Sequence, residues 1–140
     1  MGHQDLDAAT VEICRAVVDS GLKVHKVLGP GLLGSTYEQC LMHELIRRSI
    51  PAVRQVLLPV AFEDLRLENA YRLDLLVADR VIVEVKAVKA FDSLHQAQLL
   101  TYLRLSGCRV VATVSGADPF VFFSHFVFFV SCSLASLGRE

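Results

Sequence analysis

Ala70-Tyr71-Arg72-Leu73-Asp74-Leu75-Leu76-Val77, then Ala78-Asp79-Arg80, then Val81-Ile82-Val83-Glu84-Val85-Lys86-Ala87 is the stretch whose reading decides the fold. Two short apolar runs flank a three-residue turn signal, which predicts a β-hairpin. Side chains alternate along a strand, so Glu84 and Lys86 share one face while Val83 and Val85 share the other. With Ala78-Asp79-Arg80 as the loop, the register places Asp74 opposite Glu84, on the same face and about 4.5–5.5 Å away. Two facing carboxylates destabilise a hairpin unless positive charge lies between them. A divalent metal supplies that charge, and so does Lys86 as a salt-bridge partner; the spacing alone leaves both readings open. Two carboxylates with a nearby backbone carbonyl form a hard-oxygen set suited to Mg²⁺ or Mn²⁺.

Downstream of the hairpin, a helix is predicted from Ser93 to Leu105, capped by Ser93 or Asp92 and stopped by Gly107. His95, Gln98 and Tyr102 fall on one of its faces, and Leu99, Leu100 and Leu103 supply the core side. Gln98 is within reach of the hairpin as a hydrogen-bonding group, although taken alone it reads first as a surface glutamine. Arg109 to Val114 reads as a last strand, and its helical crossover allows it to lie parallel to an earlier strand.

Upstream, apolar residues of helical period predict a helix over Val11–Leu28, broken by Gly29-Pro30-Gly31. A second helix is predicted from about Leu33 to Arg48. Val53 to Phe62 reads as a strand that Pro59 demotes to an edge or a bulge. Glu63 to Asn69 reads as a polar connection. The order helix, helix, three strands, helix, strand implies one α/β domain, a small mixed sheet flanked by helices.

Composition agrees. Of 140 residues, 53% are apolar, enough for one domain with a real core. The net charge of −1 gives no support to a strong non-specific binder of polyanions. Arg47, Arg48, Arg54, Arg72 and Lys89 are candidate phosphate contacts, but most are expected to be solvated surface charge. Cys14, Cys40, Cys108 and Cys132 form no CxxC pair and read as small buried thiols in a reducing, cytoplasmic compartment. The N-terminus has no secretory h-region. The apolar stretch Phe120–Val130 is shorter than the roughly 18–20 residues of a membrane span and is interrupted by Ser124 and His125, so no membrane partner is expected.

Asp74, Glu84-Val85-Lys86 and Gln98 within His95-Gln96-Ala97-Gln98-Leu99-Leu100-Thr101-Tyr102 together resemble the GxxExxY proteins, a branch of the PD-(D/E)XK nuclease superfamily with the restriction-endonuclease-like fold. The resemblance covers roughly residues 8–111. It implies metal-dependent cleavage of phosphodiester bonds, with DNA as the expected substrate and partner. It implies that Asp74, Glu84 and the Val85 carbonyl hold Mg²⁺ or Mn²⁺, that Lys86 is the catalytic lysine, and that Gln98 is an auxiliary polar group. Two departures stand out. The motif reads Gly31-Leu32-Leu33-Gly34-Ser35-Thr36-Tyr37, so Gly34 replaces the glutamate, and impaired activity is expected. Glu38 lies one turn further on, about 5.4 Å along the helix. Residues 115–140 are a divergent apolar tail whose exposure predicts aggregation or a homodimer contact. The competing readings are a catalytically inactive nuclease-fold protein that binds nucleic acid or a protein partner, and a structural domain with a salt-bridged Asp74–Glu84–Lys86 cluster.

Overall fold

The computed structural model describes the backbone at residues 6–29, 31, 34–86, 93–115 and 125–127, and the side chains of these except at 86, 115 and 125–127. In chain order the elements are α1 (Ala8–Leu28), α2 (Gly34–Arg47), β1 (Ala52–Phe62), β2 (Leu65–Val77), β3 (Val81–Lys86), α3 (Ser93–Ser106), β4 (Val110–Ser115) and β5 (His125–Val127). The strands form one sheet in the order β1-β2-β3-β4-β5. The β3–β4 pair is parallel and the other three pairs are antiparallel, so the sheet is mixed, as expected for the restriction-endonuclease-like α/β fold.

Two cores cover the two faces of the sheet. Val17, Tyr37, Leu41 and Leu45 from α1 and α2 pack on Leu75, Val77, Val81, Val83, Val110 and Ala112. Leu99, Tyr102 and Leu103 from α3 pack on Leu58, Leu73, Ile82 and Val111. Alternation along β3 and β4 produces this split, and each fully buried aliphatic side chain contributes about 1.5–3 kcal/mol. The Tyr37 hydroxyl donates to the Gly21 carbonyl at 3.1 Å, fixing α2 against α1.

Several boundaries differ from the sequence reading. Helix α1 begins at Ala8, not Val11, because Asp7 caps it: the Thr10 amide donates to Asp7 Oδ1 at 2.9 Å. Arg80 Nη1 donates to Asp7 Oδ2 at 2.8 Å and ties the cap to the β2–β3 turn. The bonds from Thr10, then Arg80, pull the Asp7 carboxyl from its ordinary 3.8 down to about 2. A depressed acid contributes stability above its unfolded pKa and loses it as pH falls through the folded one. Asp7→Ala is therefore expected to lower Tm at neutral pH, with the difference from wild type shrinking between pH 4 and about 2 in a pH series of melts.

The polar stretch Glu63–Asn69 is not a loop. Only Glu63 and Asp64 turn, and β2 resumes at Leu65, with Phe62 paired to Leu65 and Val60 to Leu67. The hairpin tip is solvated, so polar residues such as Arg66 and Glu68 are compatible with strand there. Pro59 does sit at an irregularity, a register shift between Leu58 and Val60 on the edge strand. The tail supplies β5, an unexpected strand antiparallel to β4; the rest of Phe120–Val130 lies outside the described residues, as do Lys89 and Cys132. Cys14 and Cys108 are buried and Cys40 is partly so. Among the described residues no helix is long and apolar enough to cross a membrane.

Candidate metal centre

The β1–β2 ladder has a gap that creates the site. Pairs run from Ala52–Val77 to Arg54–Leu75 and resume at Val56–Leu73, which leaves Gln55 and Asp74 unpaired between them. Gln55 has φ 56°, a left-handed backbone that non-glycine residues seldom adopt inside a strand. Across the gap the two strands exchange faces. Leu73 packs on the α3 side and Leu75 on the α1/α2 side, although regular alternation puts residues two apart on one face.

Glu38 of α2 holds this irregularity. It is only 3% exposed, and its Oε1 accepts from Arg54 Nε at 3.0 Å and Gln55 Nε2 at 2.6 Å. A buried carboxylate requires such partners. Glu38 thus serves β1, and it does not join Asp74 and Glu84: among the described residues no three acidic, histidine or cysteine side chains come together as a metal-binding group.

The β2–β3 register agrees with a loop at Ala78-Asp79-Arg80, with pairs Leu75–Val83, Leu76–Ile82 and Val77–Val81. The ladder then stops one pair short of Asp74–Glu84. Side chains take over the missing rungs: the Asp74 amide donates to Glu84 Oε1 at 3.3 Å, and the Val85 amide donates to Asp74 Oδ2 at 2.9 Å. Buried backbone donors are almost always satisfied, and here the two carboxylates do the satisfying, which fixes both at one end of the sheet. Glu84 is 3% exposed and Asp74 is partly exposed.

Tyr102 of α3 stands against this pair. Its ring meets Tyr71 edge-to-face at 5.8 Å. Burial, followed by the charges of Glu84 and Asp74, pushes its hydroxyl up to about 12, so it stays a neutral hydrogen-bond donor across the physiological range. Expectation gave this place on α3 to Gln98. Gln98 is partly buried one turn before Tyr102, and among the described residues no side-chain hydrogen bond joins it to either carboxylate. Tyr102, not Leu100, completes the buried face with Leu99 and Leu103. The backbone of Lys86 pairs with Ser115 on β4, and its side chain lies outside the described residues.

The donor set fits a small hard cation. Mg²⁺ usually keeps several waters and takes one or two carboxylates, and Asp74 and Glu84 offer two, one of them buried. The Val85 carbonyl follows directly on the amide that Asp74 binds. Three of the basic candidates are otherwise placed: Arg54 pairs with Glu38, while Arg48 and Arg47 pair with Glu44 at 3.0 and 3.9 Å.

The model of a family described as the PD-(D/E)XK nuclease superfamily matches residues 11–115. No curated protein and no solved structure matches significantly.

Proposed function

This chain belongs to the PD-(D/E)XK nuclease superfamily, and on that premise we propose that it is a Mg²⁺- or Mn²⁺-dependent nuclease of the GxxExxY branch that hydrolyses phosphodiester bonds of DNA. The observation that carries this reading is the interlock of Asp74 and Glu84 at the ladder gap, where each carboxylate accepts a backbone amide and the two are held together at one end of the sheet. Asp74, Glu84 and the Val85 carbonyl hold the cation, which when bound polarises the phosphate and lowers the pKa of a water. Lys86 orients the attacking water and stabilises charge developing on the phosphate oxygens. The neutral Tyr102 hydroxyl is available as a hydrogen-bond donor beside Glu84 and Asp74, and Gln98 contacts the phosphate backbone from α3.

Among the described residues no third acid joins the pair, which supports a second reading, a nuclease-fold protein that binds DNA without cutting it. One experiment separates the two. Wild-type protein is titrated with Mg²⁺ and Mn²⁺ in a melting assay and tested on supercoiled plasmid and single-stranded DNA. The nuclease reading expects metal-dependent nicking together with stabilisation of about 2.7 kcal/mol at a hundredfold excess over Kd. Stabilisation without nicking selects the binding protein, and no response to either metal leaves Asp74, Glu84 and Lys86 as a salt-bridged cluster.

A further inference from the structure

Thr113 is the single polar residue in the run Val110-Val111-Ala112-Thr113-Val114 of β4. It is 2% exposed, and its Oγ1 has no hydrogen-bond partner among the described residues. Valine has nearly the same shape, and a buried hydroxyl left unpaired is a cost that packing alone does not justify.

Its place in the sheet gives the hydroxyl a charged neighbour. The parallel β3–β4 register sets Thr113 directly beside Glu84, about 4.8 Å away across the strands. Two residues earlier on each strand, Val111 and Ile82 pack together on the α3 side, while Val83, Ala112 and Val114 pack on the opposite side. Alternation therefore puts Thr113 and Glu84 next to each other on the α3 side, in the space that Tyr102 borders. Both are nearly inaccessible to water, so Glu84 has little solvent to order its carboxylate.

We infer that Thr113 is a positioning residue of this centre: its hydroxyl donates a hydrogen bond to the Glu84 carboxylate when that carboxylate turns to hold the divalent cation. The inference rests on the metal-binding reading of Asp74 and Glu84. Carboxylates that hold metals are themselves hydrogen-bonded, and loss of such a partner weakens affinity by about 10–100-fold. Thr113 thereby sets how tightly the cation is held, without touching it.

The test is Mn²⁺ binding to the full-length protein, measured by titration calorimetry and by the loss of the free-ion electron-spin resonance signal. Thr113→Val is expected to weaken Mn²⁺ binding about tenfold, with the melting temperature of the metal-free protein unchanged or raised. Thr113→Ser, which keeps the hydroxyl, is expected to bind within about twofold of wild type. Thr113→Val binding Mn²⁺ as tightly as wild type, in a series where Asp74→Asn has lost it, overturns the inference and leaves the metal centre standing. Weakened binding in both threonine variants alongside a lowered metal-free melting temperature also overturns it, because packing is then the cause. Absence of Mn²⁺ binding by wild type itself removes the metal centre and the role of Thr113 with it.

Discussion

Asp74→Asn is expected to reduce metal-dependent cleavage by about a hundredfold or more, and to leave the metal-free protein as stable as wild type or more so. The two halves of this expectation have different causes. Asp74 Oδ2 accepts the Val85 amide, and an asparagine carbonyl oxygen can accept the same bond, so the rung that closes the hairpin is kept. The negative charge beside buried Glu84 is removed, which relieves repulsion between like charges. A cation then meets one carboxylate instead of two, and both its affinity and its pull on the phosphate fall. Lys86→Ala serves as the contrast. It is expected to suppress cleavage to a similar degree while preserving Mn²⁺-dependent stabilisation, because removing a neighbouring positive charge does not hinder cation binding. Plasmid nicking and melting curves with and without Mn²⁺ measure both. Wild-type nicking rates in Asp74→Asn would sink the assignment of Asp74, and activity that persists in both variants identifies a contaminating enzyme.

Gly34→Glu is expected to raise metal-dependent nicking about tenfold, a step of 1.4 kcal/mol in affinity or barrier. Gly34 opens α2, and among the described residues a Cβ built there meets only Val85 Cγ1, at an ordinary 3.8 Å. The position is helical, so a side chain enters without backbone strain. It starts against the Val85 side chain on the α1/α2 face, at the end of β3 that carries Glu84 and Lys86, whereas Glu38, one turn on, is committed to Arg54 and Gln55. The glutamate also gains helix propensity of about 0.5–1 kcal/mol over glycine and sits favourably at a helix N-terminus. Gly34→Ala separates these effects: it keeps the propensity gain and lacks the carboxylate. Equal nicking by the alanine and glutamate variants would show that a third acid is not what limits the site.

Much of this architecture is written locally in the chain. The turn at Ala78-Asp79-Arg80 and the alternation on either side of it specify the β2–β3 register, because a slip of one residue would set residues of the α1/α2 core opposite residues of the α3 core and part Asp74 from Glu84. The helical periods of α1, α2 and α3 are equally local, and so is the parallel placement of β4 that a helical crossover permits. Boundaries were less legible where the deciding group lies outside the periodic run, as with the Asp7 cap, or where a solvated ribbon carries the polar residues of a loop, as at Leu65–Asn69.

The geometry of the centre itself belongs to the tertiary structure. Alternation places Asp74 opposite Glu84, but it carries no sign that β1 and β2 exchange faces together at Gln55 and Asp74, since that gap is held by Glu38 from a helix packed across the sheet. Nor does it show that the carboxylates replace the last ladder rungs, that Tyr102 leaves the polar side of α3 for the core, or that Thr113 lies beside Glu84. The sequence by itself determined that two carboxylates and a lysine share one hairpin, because strand period and turn length act over a few residues. Where those carboxylates are aimed, and what borders them, depends on contacts between residues far apart in the chain, which local pattern does not encode.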